Sequence, residues 1–199
     1  MNRVGLFGGS FDPVHNAHVA LASSALAALQ LDELRWIPAG QAWQKARTLT
    51  AADDRVAMLR LAISHEPRYR LDMCEVQRAG PSYTIATVLE LKARHPSAQW
   101  FLILGQDQLQ RLPTWHRWRY LVRLVTLAVA NRAGESPRTP AELAVARANV
   151  VEVPMPPLLI SSSQVRTQVA SNQSIATLVP ADVADYIETH HLYRNSYRN

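Results

Sequence analysis

The stretch from Val4 to His18 constrains this chain more than any other. Val4 to Phe7 is apolar enough for an inner strand, and it stops at Gly8-Gly9. Two adjacent glycines admit positive φ and let a ligand come close to bare N–H groups. Asp12 precedes Pro13 and is thereby kept extended. Asn16 suits an N-cap, and Ala17 to Gln30 continues as a helix with few breakers. Strand, glycine turn and helix N-terminus together form an anion site, where N–H groups and the positive dipole end face one spot. His15 and His18 stand three residues apart, on one side of the first turn, and flank that spot. Two donors of tunable charge beside a phosphate cradle point to chemistry on phosphate. Taken singly, the parts have plainer readings. Paired glycines after a strand are often only a tight turn. A histidine pair can ligate metal, but no third His, Cys or carboxylate stands at zinc spacing nearby.

The whole string is more specific than its parts. Gly8 to His18 resembles the nucleotidylyltransferase signature G-x-F-D-P-x-H-x-G-H. Its Gly-Gly-Ser opening is similar to that of the bacterial nicotinate-nucleotide adenylyltransferases. One position departs: the family's glycine between the histidines is Ala17 here. Alanine is the smallest replacement and favours helix, so the site is expected to survive with slightly less room.

A chain of 199 residues suits one α/β domain, 1–199, with enough length for a proper core. Apolar content of 48% against 19% charged indicates a folded globule. The single cysteine, Cys74, excludes an internal disulfide and reads as a plain buried thiol. Leu124 to Ala130, the longest clean apolar run, is far too short to cross a membrane. Met1-Asn2-Arg3 leads straight into a strand rather than a signal peptide, so a cytoplasmic protein without membrane partners is expected. The net charge of +5 permits a nucleic-acid partner. The basic residues are scattered, however, and no nucleic acid is expected; the same charge suits an enzyme of polyphosphate substrates.

Further strands are expected at Glu33–Pro38, Tyr69–Cys74, Trp100–Leu104, Leu124–Ala130 and Val150–Val153. Between them stand helices from Thr50 to about His65, Ser82 or Tyr83 to Arg94, Trp115 to Leu121 and Ala141 to Ala148. Two more, Ser162–Ser171 and Pro180–His190, close the chain. This alternation gives a doubly wound, Rossmann-like parallel sheet with helices on both faces. Ligands in such sheets sit beyond the carboxyl ends of the strands, where Gly8, Pro38, Gly105 and Arg132 would share one rim.

A second strong feature is Ile160-Ser161-Ser162-Ser163-Gln164-Val165-Arg166. Three serines before a helical pattern offer N-cap hydroxyls and another set of helix N–H groups. Arg166, one turn in, carries a planar fork that lysine cannot copy. The string is similar to the family's I-S-S-T/S-x-x-R motif. The resemblance implies that Ser161, Ser162, Ser163 and Arg166 close over the ATP phosphates beside Gly8, Gly9, Ser10 and Phe11. It likewise implies that Gly105 and Asp107, within a family-like G-x-D, approach the nucleotide. Tyr83 and Thr84, with Trp115, resemble the residues that hold the nicotinate ring and its carboxylate. Lys45 and Arg132 would serve the mononucleotide. Two departures fall at this acceptor end: Ala42-Trp43-Gln44-Lys45 replaces a histidine-bearing loop, and Ala86 stands where relatives commonly carry Asp.

The reaction so implied is adenylyl transfer from ATP to nicotinate mononucleotide, giving deamido-NAD and pyrophosphate. His15, His18 and Arg166 would be its catalytic groups. Mg²⁺ would be held mainly by ATP phosphates, with no metal site on the protein. Alternatives are an adenylyltransferase acting on nicotinamide mononucleotide or another phosphorylated acceptor, and a non-catalytic nucleotide-binding regulator. A homo-oligomer is left open.

Overall fold

The computed structural model describes residues 2–40, 49–131, 137–155 and 158–194. In chain order these form β1 (Arg3–Gly9), α1 (Asn16–Ala28), β2 (Glu33–Pro38), α2 (Ala52–Ile63), β3 (Tyr69–Leu71) and α3 (Cys74–Gln77). Next come α4 (Thr84–Arg94), β4 (Gln99–Gly105), α5 (Gln106–Arg111), a 3₁₀ turn (Leu112–Thr114) and α6 (Trp118–Leu124). The last are β5 (Thr126–Asn131), α7 (Ala141–Val145), β6 (Val150–Pro154), α8 (Ser162–Ala170) and α9 (Ala181–Thr189).

The strands lie in the order β3-β2-β1-β4-β5-β6, and each neighbouring pair is parallel. This is the Rossmann-like α/β sheet that the alternation predicts. Chain order runs outward from β1 on one side and from β4 on the other. The switch point is therefore the β1–β4 seam, whose carboxyl ends open a crevice. Both faces are covered, so the inner strands are apolar throughout, and alternate residues feed opposite layers. Phe7, Phe101 and Ile103 pack with Leu26, Leu59, Val165 and Val183 on one face. Leu6, Leu102 and Leu104 pack with Val88, Leu91, Leu109 and Leu121 on the other.

Local departures from the sequence reading have identifiable causes. β3 ends at Leu71 because Asp72 Oδ1 accepts the Cys74 N–H at 3.1 Å and turns the chain into α3. Cys74 is buried there, and burial pushes its thiol up to about 12, so it stays an inert SH. The helix expected from Trp115 begins at Trp118, because Arg117 takes a left-handed φ of 52° and breaks the run. Leu124 consequently closes α6 instead of opening β5. Among the described residues no helix is long and apolar enough to cross a membrane.

Candidate active site

Gly8 and Gly9 are the last residues of β1, and Gly9 lies opposite Pro38 of β2. Neither has positive φ; the left-handed turn falls instead on Phe11, at 45°. The glycines serve by being small. A Cβ on Gly9 would come 3.0 Å from the Phe11 ring. That ring is buried and meets Phe7, Trp36 and His18 at centroid distances of 5.5, 5.4 and 5.1 Å. Aromatic packing thus holds a backbone conformation that a bulky residue rarely adopts. The next peptide bond, Asp12-Pro13, is cis.

Helix α1 begins one residue earlier than the sequence suggests, with His15 as N-cap. Asn16 is engaged elsewhere: its backbone N–H donates to Leu178 O at 2.8 Å and its side-chain amide to Thr177 O at 3.0 Å. The His15 N–H donates to His18 Nδ1 at 3.2 Å. A nitrogen that accepts carries no proton, so the neutral His18 ring presents Nε2–H as its donor. The two imidazoles stack at 3.6 Å with 25° between their planes. His15 is only 5% exposed, and burial lowers its pKa to about 4. Of the two rings expected to have tunable charge, burial holds His15 neutral at pH 7 in the ligand-free protein.

The serine motif arrives at the same junction. Ser161 caps α8, its Oγ accepting from the Gln164 N–H at 3.1 Å. Ser162 Oγ donates to Pro13 O at 3.0 Å. Arg166 donates through one Nη to Asp12 O at 2.8 Å and through the other to Ser163 Oγ at 3.0 Å. Motifs from opposite ends of the chain thus share one set of hydrogen bonds, and a guanidinium stands beside the helix start.

Three further residues complete the junction that sequence reasoning left without a role. Asp12 is fully buried, accepting from Tyr193 OH at 2.8 Å on Oδ1 and from the Thr50 N–H at 3.3 Å on Oδ2. Arg55, 2% exposed, donates to Ser10 O at 2.9 Å and Thr50 O at 3.0 Å. Burial draws its pKa down, and the Asp12 charge opposes that. A lone arginine inside the first half of α2 carried a faint signal, since α2 otherwise buries Val56, Met58 and Leu59. Tyr193 carried none.

Gly105 ends β4 and caps α5, whose exposed first turn holds Asp107. The β1–β4 register, with Leu6 opposite Leu102, runs on to bring Gly9 and Gly105 to the same rim. On the acceptor side, Tyr83 is the N-cap of α4 and Thr84 its first residue, while Trp115 follows the 3₁₀ turn. Tyr83 and Trp115 pack against one apolar cluster, and the Tyr83 ring lies 4.6 Å from that of His116. Lys45 and Arg132 lie outside the described residues. Among the described residues no three His, Cys, Asp or Glu side chains gather to hold a metal ion.

This chain resembles known proteins over nearly its whole length. The cytidylyltransferase-like family model matches residues 6–168. A protein of Methylibium petroleiphilum named "Probable nicotinate-nucleotide adenylyltransferase" is 51% identical over 195 residues, covering 96% of this chain and 92% of that one. One of the same name from Albidiferax ferrireducens is 45% identical over 199 residues, covering 98% and 100%. The fold is similar to that of Plasmodium falciparum nicotinic acid mononucleotide adenylyltransferase complexed with NaAD. That match has a TM-score of 0.82 at 20% identity, covering 97% of this chain and 98% of that one.

The buried His15 makes a pH prediction. Between pH 6.5 and 4 the unfolded chain binds a proton there that the folded chain refuses. The group's contribution is fully present above pH 6.5 and is lost as pH falls toward 4, amounting to about 3 kcal/mol. Nuclear magnetic resonance of the ligand-free protein should show the His15 ring neutral down to about pH 4. Denaturant titrations should find the acid loss of stability reduced in His15→Asn.

Proposed function

The chain belongs to the cytidylyltransferase-like family and, within it, to the nicotinate-nucleotide adenylyltransferases, and on that premise we propose how its residues divide the work. The protein is an enzyme that transfers AMP from ATP to nicotinate mononucleotide, releasing pyrophosphate, in NAD biosynthesis. The mononucleotide's own phosphate attacks the α-phosphorus in line. It is already ionised at neutral pH, so no general base is required. Catalysis then rests on positioning and on stabilising the charge that grows on pyrophosphate.

His18 Nε2–H, the neutral His15 ring and the Arg166 fork are the donors for that charge. Gly8 to Phe11 and the capped start of α8, Ser161 to Ser163, border the triphosphate, and Gly105 with Asp107 borders the nucleoside. The observation that carries this division is the meeting of the two motifs, Arg166 lying 2.8 Å from Asp12 O. Tyr83, Thr84 and Trp115 take the pyridine, and Lys45 and Arg132 the mononucleotide phosphate. Mg²⁺ would be held mainly by the ATP phosphates and would supply neutralisation of their charge, since the nearby Asp12 carboxyl is already held by Tyr193 and Thr50. The reading goes with a cytoplasmic, single-domain enzyme that acts on nucleotides and not on nucleic acid. Release of pyrophosphate from ATP on adding nicotinate mononucleotide tests it directly against a non-catalytic nucleotide binder.

His18→Ala should lower kcat far more than ATP affinity, by roughly 10²–10³, because its donor meets charge that appears only as pyrophosphate leaves. Unchanged turnover with weaker ATP binding would remove His18 from the catalytic set. Arg166→Lys keeps the charge but loses the fork, and should cost about ten-fold or more in kcat/KM. Wild-type kinetics with lysine would make Arg166 a simple surface charge.

Acid should be preferred over amide. Gly80 to Thr84 and Leu112 to Trp118 contain no Asp or Glu. Glu75, which the fold brings close to α4, already accepts from Thr87 Oγ1 at 2.7 Å. A site of donors pairs a carboxylate fully and leaves the NH₂ of an amide facing another donor. Two charged hydrogen bonds in place of neutral ones give a preference of about two decades or more. The measure is kcat/KM for nicotinate against nicotinamide mononucleotide at saturating ATP. Equal values would reject the donor-only pocket.

A further inference from the structure

We propose that Tyr193 is a positioning residue for the ATP side of the site, acting through Asp12. The inference rests on the functional reading above and extends it to the far end of the chain. Tyr193 follows α9, and its ring is buried in the same apolar cluster as Phe11, Val14 and Val165. Its hydroxyl donates to Asp12 Oδ1 at 2.8 Å across 181 positions of sequence. Asp12 is where the site's tethers converge. Its other carboxyl oxygen takes the Thr50 N–H, and its main-chain carbonyl takes Arg166. Ser10 and Pro13 on either side are held by Arg55 and Ser162.

A buried carboxylate whose donor is removed does not stay as it was; it turns toward the nearest remaining donor or cation. Two cations are at hand. Arg55 and Asp12 attract each other, and the charge of Arg166 acts on Tyr193. Arg55 holds the carbonyls of Ser10 and Thr50, whereas Arg166 is bonded to the main chain of Asp12 itself and to Ser163, so a shift of Asp12 carries Arg166 with it. That movement would take from ATP the fork that α8 presents, and would tilt the Ser10–His15 backbone with it. The acceptor residues Tyr83 and Trp115 pack on the opposite layer of the sheet and have no part in these bonds. The effect should therefore fall on one substrate only.

Tyr193→Phe removes the hydroxyl and keeps the ring in its cluster. ATP affinity is read by calorimetry without acceptor, and KM for each substrate by pyrophosphate release, well below the melting points of both proteins. Expected is about a ten-fold loss in ATP affinity and in kcat/KM for ATP, with KM for nicotinate mononucleotide within two-fold of wild type. A lower melting point with both substrates unaffected would make Tyr193 a packing residue and overturn the proposal. Asp12→Asn reads the same anchor from its other side, including where Tyr193→Phe fails to fold. It should weaken ATP and spare the mononucleotide, and adding Tyr193→Phe to it should cost little more. Wild-type ATP affinity in Asp12→Asn, or independent losses in the double variant, would also overturn it. Should the wild type bind ATP but release no pyrophosphate, the functional reading fails while the calorimetric arm still decides the proposal.

Discussion

The buried Asp12 carboxyl is the constraint around which the site is arranged. Taking a carboxylate out of water is costly, and the cost is recovered only by donors of good geometry and nearby positive charge. Here the donors come from the C-terminal turn and from the residue that leads toward α2, and the charge comes from within α2. Segments far apart in sequence must therefore be in place before Asp12 can be buried. Its position between β1 and α1 means that the same requirement fixes the switch-point junction.

That arrangement also sorts donors from acceptors. The carbonyls of Ser10, Asp12 and Pro13 are each held by a donor from another element: Arg55, Arg166 and Ser162. A loop that is to face a polyphosphate must not offer it carbonyl oxygens. With those oxygens engaged, the N–H groups and dipole at the start of α1 remain as partners for an anion. The neutral His15 belongs to the same design. A charged ring there would compete with Arg166 and raise the cost of burial, whereas a neutral N–H adds a directed donor without net charge.

Much of this was legible in the sequence because it depends on local pattern. The apolar run Val4–Phe7 before two glycines gives β1, and the alternation of apolar runs with amphipathic segments gives the doubly wound sheet. The serine triplet before a helical pattern gives the Ser161 cap. What was hidden depends on tertiary placement. Asn16 looks like an N-cap, but Thr177 and Leu178 claim it, and the cap falls to His15. Gly8-Gly9 suggest a glycine turn, but the left-handed φ sits on Phe11, where three rings surround the side chain. The neutrality of His15 is a matter of burial, which no residue spacing encodes. Asp12 was visible in its motif, but the partners that give it a role stand near positions 50, 55 and 193.

The parallel sheet separates the two groups of proposed site residues. Phe11, Val14, Val165 and Tyr193 anchor the histidines and Arg166 to one apolar layer, whereas Tyr83 and Trp115 are anchored to the other. Only at the carboxyl ends of β1 and β4, where chain order reverses, do both layers reach one crevice. In-line transfer needs nucleophile and leaving group on opposite sides of the α-phosphorus. On the proposed division of roles, a site at this seam meets that need by topology, with the donors for pyrophosphate on one face and the acceptor's ring on the other. Substitutions in one layer should then disturb one substrate at a time, unless they move the seam itself.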